Sequence, residues 1–223
     1  MAPRTRPSGT MWAPKLEVTT WPFDERTRER LSQYRHERMR DLDVVFCGDD
    51  LDLRGAHLCG FDFKLGWFSG SVLDKVRMLA ANLSEAALDG ASLEQADLTG
   101  CVLIDADLSH CRGRRAVLSW ARLARAEIYE ADLREADLLG AELEGAVLAG
   151  ADLRGARLQD VRFARTVLKG VRLADCVVAG ARGTVHGPID VSKTEEPELL
   201  DGPDMVEWFR EHQARVTLPQ RTS

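Results

Sequence analysis

The sequence predicts a solenoid, a chain wound into stacked coils, and three observations carry that reading. From Leu53 to Val178 an apolar residue recurs at every fifth position; of these 26 centres 19 are Leu and 25 are apolar, Gly113 being the exception. Two places before most centres stands a small residue, as at Ala81, Ala86, Ala96, Cys101 and Cys111. Two places after, Gly is frequent, as at Gly90, Gly100, Gly140 and Gly155, and the register runs from Leu51 to Gly180 without insertion or deletion. A period of five matches neither the helical 3.6 nor the strand 2. On a helix it would spread the centres around the whole circumference, and on a flat strand it would send alternate centres to opposite faces. A chain that turns a corner every five residues keeps each centre and its small neighbour inside.

The elements follow in order. Residues 1–20, with Arg and Pro but no hydrophobic signal core, read as a disordered tail and argue against export. Residues 21–50 read as an N-terminal helical cap, with a charged helix over 24–42 whose apolar stripe is Leu31, Tyr34 and Leu42. Residues 51–180 are the repeat tract. Residues 181–223 read as a loop or strand from Gly183 to Pro197, then a second helix near 203–214. There Pro203 suits the first turn, and Met205, Trp208, Phe209 and His212 fall at i, i+3, i+4, i+7. Helical caps are expected because an open coil exposes its core and an unpaired edge.

Ala96-Asp97-Leu98-Thr99-Gly100 and Ala151-Asp152-Leu153-Arg154-Gly155 resemble the unit A(D/N)LxG of the pentapeptide-repeat family. The resemblance implies a right-handed quadrilateral parallel β-helix with four units per coil, so that positions i and i+20 stack. The 26 units then give about six and a half coils, roughly 31 Å at the ~4.8 Å spacing between strands. A tube that narrow accounts for 44% hydrophobic but only 6% aromatic residues. Each buried Leu contributes on the order of 2 kcal/mol.

Composition excludes several classes. Thirty Lys+Arg against 36 Asp+Glu give −6, so there is no overall basic footprint and no direct nucleic-acid binding is expected. No apolar run approaches the roughly 20 residues of a bilayer crossing. Five widely spaced cysteines read as reduced thiols in a cytoplasm, and no pair has Cys-x-x-Cys spacing. Cys101, Cys111 and Cys176 fall on the small inward position and His110 outward, so no catalytic, cofactor or metal site is predicted.

Stacking of one coil on the next sorts the charge by face. One face, with the edge of the face before it, carries Glu85, Asp89, Asp105, Asp107, Glu127, Glu130, Glu142 and Glu144, a candidate acidic interaction face. Residues 81–145 hold 13 acids against 6 bases, and 146–180 hold 3 against 6. Arg112, Arg114 and Arg115 surround Gly113, where a missing core side chain predicts a gap or a backbone bulge and a candidate basic patch. Arg114, Arg134 and Arg154 stack, with Asp132 and Asp152 beside them to compensate. Trp67 stands at an outward position and is expected under the N-terminal helix, with Trp12 or Trp21 adding to the cap.

Gyrase-protecting members of the family mimic DNA, bind DNA gyrase and topoisomerase IV, and dimerise through a C-terminal helix. The resemblance therefore implies a non-enzymatic protein that protects a type II topoisomerase in antibiotic resistance or self-immunity. Met205, Trp208 and Phe209 are its candidate dimer or cap contact. The alternatives are a generic protein–protein scaffold, and an enzyme or small-molecule-binding protein of a biosynthetic pathway.

Overall fold

A computed structural model describes residues 18–194 and 196–219. The expected tail therefore lies mostly outside the described residues, Trp12 included. Its last residues are not a tail: the His57 backbone N–H donates to the Thr20 carbonyl at 3.0 Å, and the two residues pair antiparallel.

Helix α1 spans Glu25–Arg38. The Asp24 carboxylate accepts the Thr27 N–H at 2.7 Å and its hydroxyl at 2.6 Å, which satisfies otherwise unpaired donors of the first turn. Glu25 sits in the first turn, and Arg35, His36 and Arg38 in the last, matched to the helix dipole. Leu31 and Tyr34 are buried, but Leu42 lies past the helix end and is 76% exposed, so the expected stripe is two residues, not three. Tyr34 stacks on Phe63 at 5.6 Å and meets Phe46 edge-on at 5.2 Å. Its hydroxyl donates to the Asp62 carbonyl, and Arg38 binds the Asp62 carboxylate.

The repeat tract is a ladder of parallel bridges, each joining a residue to its counterpart one coil on, from Cys47↔Trp67 to Arg157↔Val177. Four pentapeptides therefore make each coil. The residue before each centre carries the bridge, as where the Val72 N–H donates to the Leu51 carbonyl at 2.9 Å. At the corner the next small residue closes a turn, as from the Ala81 N–H to the Met78 carbonyl at 2.9 Å. The position two after each centre is left-handed, φ +68° at Gly100 and +57° at Asp105. Glycine recurs there because it adopts that conformation without strain from a Cβ.

The ladder begins one unit before residue 51. Phe46 occupies a small position and Gly48 the centre, with a Cβ on Gly48 falling 2.3 Å from the Phe46 ring. Large and small residues are exchanged in this unit. Rings gather where the tube closes: Phe46, Phe61, Phe63, Phe68 and Tyr34 at one end, Phe163 and Phe209 at the other. Between them the core is mostly Leu and Ala. Cys101, Cys111 and Cys176 are buried as expected, and burial pushes the Cys111 and Cys176 thiols up to about 12.

Pairing continues past residue 180 but loses its strict period. The next strands are β1 (Glu142–Glu144), β2 (Arg162–Val167), β3 (Val171–Arg172), β4 (Arg182–His186) and β5 (Ile189–Asp190). The offset is 20 at Arg162↔Arg182, 19 at Thr166↔Val185 and 18 at Val171↔Ile189, so two residues drop out within one coil. Strand β6 (Leu199–Leu200) pairs antiparallel with β5, helix α2 spans Gly202–Glu211, and β7 (Arg215–Thr217) lies parallel on β4. The sheet order is β1-β2-β4-β7.

Gly113 breaks nothing. Its N–H donates to the Asp132 carbonyl at 2.8 Å, and the Ser92↔Arg112↔Asp132 ladder passes through without a bulge. The expected gap is corrected: a Cβ on Gly113 would lie 2.8 Å from Leu133 Cδ2, so the Leu above occupies the vacant space.

Candidate interaction faces

The structure divides the eight candidate acids into two sets of four. Glu85 pairs with Lys64 at 3.1 Å, Asp105 with Arg125 at 2.7 Å, and Glu144 with Arg165 at 2.8 Å. Glu142 lies between Arg122 at 3.7 Å and Arg162 at 3.4 Å. These four belong to the face of units 81–85, 101–105, 121–125 and 141–145, where charge is locally neutralised. Hydrogen bonding from Arg125 holds the Asp105 carboxyl below its ordinary range.

Asp89, Asp107, Glu127 and Glu130 belong to the next face. Among the described residues no Lys or Arg pairs with any of them, and Glu130 meets only His110 Nδ1, at 3.6 Å. Asp107 and Glu127 are direct ladder partners, so their side chains leave the surface one strand spacing apart. At ~4.8 Å in water two such charges repel by about 1 kcal/mol. The six units of this face from 46–50 to 146–150 contain no Lys or Arg. The same face carries two rings. Trp67 is 54% exposed, which corrects its expected burial under α1, and Tyr129 is 39% exposed. Sequence reasoning passed over Tyr129, although its place one after the centre marks it as outward.

The candidate basic patch is only partly compensated, one carboxylate serving two of its three arginines. Arg114 Nε donates to Glu135 at 3.1 Å and Arg115 Nε at 2.7 Å, and these bonds hold the Glu135 carboxyl below its ordinary range. Arg112 alone of the three has no carboxylate partner among the described residues. Arg134 on Asp132 and Arg154 on Asp152 are compensated as the stacking predicts.

At the C-terminal end the Asp201 carboxylate caps α2, and Met205 and Phe209 are fully buried. Phe209 lies 6.2 Å from Phe163. Of the dimer and cap readings of these residues, Met205 and Phe209 pack against the chain's own core. Trp208 is partly buried and stacks on His212 at 4.3 Å.

A second charged feature follows from the register. The column Arg122, Glu142, Arg162, Arg182, Arg215 runs through β1, β2, β4 and β7. Arg122, Glu142, Glu144, Arg162 and Arg182 line a groove of about 500 Å³ over Ala124, Phe163, Ala164 and Gly183. Among the described residues no group of His, Cys, Asp and Glu could hold a metal ion, and no helix is long and apolar enough to cross a membrane.

The family model for pentapeptide repeats matches overlapping segments that together run from residue 77 to 182. This chain belongs to the pentapeptide-repeat family. The solved structure of full-length QnrB1, a plasmid-mediated fluoroquinolone resistance protein, aligns with this pentapeptide-repeat protein at a TM-score of 0.57 and 17% identity. That alignment covers 79% of this chain and 94% of QnrB1. A trypsin-treated QnrB1 aligns at 0.52 and 18% identity, over 66% and 77% of the two chains. At those identities the likeness shows a shared β-helix solenoid and nothing finer. A pentapeptide repeat protein of the Arabidopsis thaliana thylakoid lumen is 31% identical over 51% of this chain and 72% of its own, at a TM-score of 0.26. No curated protein matches the sequence.

Proposed function

We propose that this pentapeptide-repeat protein is a non-enzymatic interaction protein whose unpaired acidic face stands in for DNA at a type II topoisomerase, gyrase or topoisomerase IV. The observation that supports the reading is the in-register pair Asp107 and Glu127, flanked by Asp89 and Glu130, with no Lys or Arg paired to them among the described residues. Regularly spaced acids on a rigid rod present to a basic groove what a phosphate track presents, since charge dominates the affinity of such grooves. Glu85, Asp105, Glu142 and Glu144 are left out of the face, because each already has a cation. The reading takes the solenoid as right-handed and quadrilateral, about six and a half coils long, capped by α1 and α2, and assigns it to the cytoplasm. A homodimer through α2 would rest on Trp208 alone.

The test is a gyrase supercoiling assay with a quinolone or toxin present. Wild type is expected to protect or inhibit, Asp107→Lys with Glu127→Lys to lose the effect, and Glu142→Lys with Glu144→Lys to keep it. No effect of the wild type at micromolar protein would sink the reading. A scaffold that binds some other protein is favoured by the exposed rings Trp67 and Tyr129. It would show instead as an effect abolished by Trp67→Ala and indifferent to charge reversal.

A further inference from the structure

Arg162, Arg182 and Arg215 stand opposite one another on three successive parallel strands. Elsewhere in the solenoid stacked arginines are interleaved or bridged by carboxylates: Arg122 and Arg162 by Glu142, Arg134 by Asp132 and Asp152, Arg157 by Asp137. Beyond Arg162 the pattern stops. Arg182 and Arg215 are exposed, and among the described residues neither has a carboxylate partner. Like charges directly opposite on neighbouring strands are unfavourable, so this column is complete only with anions supplied from outside. The groove beneath its rim has an apolar floor of Ala124, Phe163 and Ala164, with Gly183 beside them. Glu142 and Glu144 also line it, held by Arg162 and Arg165, so the groove offers a place for a ring while Arg182 and Arg215 beside it remain open to acids.

The same chain carries the complement one face away. Asp107 and Glu127 leave the surface at the same strand spacing as Arg182 and Arg215, because both pairs are bridge partners in parallel ladders. Between Glu127 and Glu130 projects Tyr129, an exposed ring on the coil where the acids lie. We propose that the acidic face of one copy docks on the arginine column of a second, with Tyr129 in the groove and Asp107 and Glu127 against Arg182 and Arg215. Sign and pitch match together, since every coil has the same rise. The contact is heterologous: a pair keeps one free arginine column, on one copy, and one free acidic face, on the other, so growth does not stop at a dimer unless the geometry closes. A second copy on the acidic face hides it, so any other partner of that face has to displace it. The inference does not depend on the topoisomerase reading and is tested without that enzyme.

Sedimentation velocity of the full chain over a range of concentrations at low and physiological ionic strength tests it. The mean mass of the wild type is expected to rise above the 24.8 kDa of one chain at low salt. It should fall back as the Debye length shortens from ~30 Å at 0.01 M to ~8 Å at 0.15 M. Arg182→Glu with Arg215→Glu, and separately Asp107→Lys with Glu127→Lys, should each abolish association. An equimolar mixture of the two variants should restore it, because one retains the acidic face and the other the arginine column. Tyr129→Ala should weaken association about tenfold. A wild type that stays monomeric at low salt, association that survives either reversal, or two inert variants that stay inert when mixed would each overturn the proposal. Circular dichroism checks the folding of each variant; should a reversal unfold the chain, salt dependence and Tyr129→Ala decide.

Discussion

Leu133 Cδ2 stands 2.8 Å from the point where a Cβ on Gly113 would lie, so one side chain serves two layers of the core. A Leu at position 113 would satisfy the repeat pattern yet collide with Leu133. Overpacking of this kind costs about 1–3 kcal/mol, so Gly113→Leu is expected to destabilise. Leu133→Ala would empty two adjacent core positions and belongs toward the upper part of the usual range of about 2–5 kcal/mol. Urea denaturation of both variants measures this. A gain in stability for Gly113→Leu would mean that the layer holds a true void.

Cys101, Cys111 and Cys176 face the tube interior, whereas Cys47 and Cys59 are exposed. Burial also pushes the inward thiols up, so the reactive thiolate is scarce at neutral pH. A thiol reagent at pH 8 is expected to modify two cysteines at once and the other three only at the rate of global unfolding. Mass spectrometry after timed labelling reads this directly. Prompt modification of Cys111 would place the coil opening well below global unfolding in free energy.

The repeat core was legible because every fifth side chain points inward, and a Leu in that place has no other destination. Legibility ended where one unit borrows from another. Phe46 fills the place of Gly48 within its own unit, and Leu133 fills that of Gly113 from the coil above, so a position-by-position pattern reads both as breaks. Beyond Gly180 the offset shortens from 20 to 18, and a fixed register loses strands that the fold keeps. The acidic face was legible in outline, but counting charges by vertical column misses diagonal pairs. Long side chains reach one position past the coil repeat, as in Lys64–Glu85, Arg114–Glu135 and Arg165–Glu144. Those diagonals remove Glu85 and Glu144 from the face and tie Arg114 of the basic patch to Glu135.

Arg125 binds Asp105 through its guanidinium, with Nε to Oδ1 at 2.7 Å, and the carboxyl is held below its ordinary range. Glu135 is held down by Arg114 and Arg115, and Asp132 by Arg134. A carboxyl whose folded pKa is depressed contributes stability that is fully present above the unfolded value, about 4 for Asp and Glu. That contribution is lost as pH falls through the folded value. The melting temperature is therefore expected to be insensitive to these groups from pH 7 to about 5 and to fall below about pH 4. The decline should be shallow, because these pairs lie at the surface where solvent screens them. Arg125→Met should return the Asp105 titration to the ordinary aspartate range of about 3.9, which carboxyl NMR resolves residue by residue. If Asp105 titrates at the same pH with and without Arg125, the ion pair is not formed in solution, and Asp105 rejoins the unpaired acids of the neighbouring face.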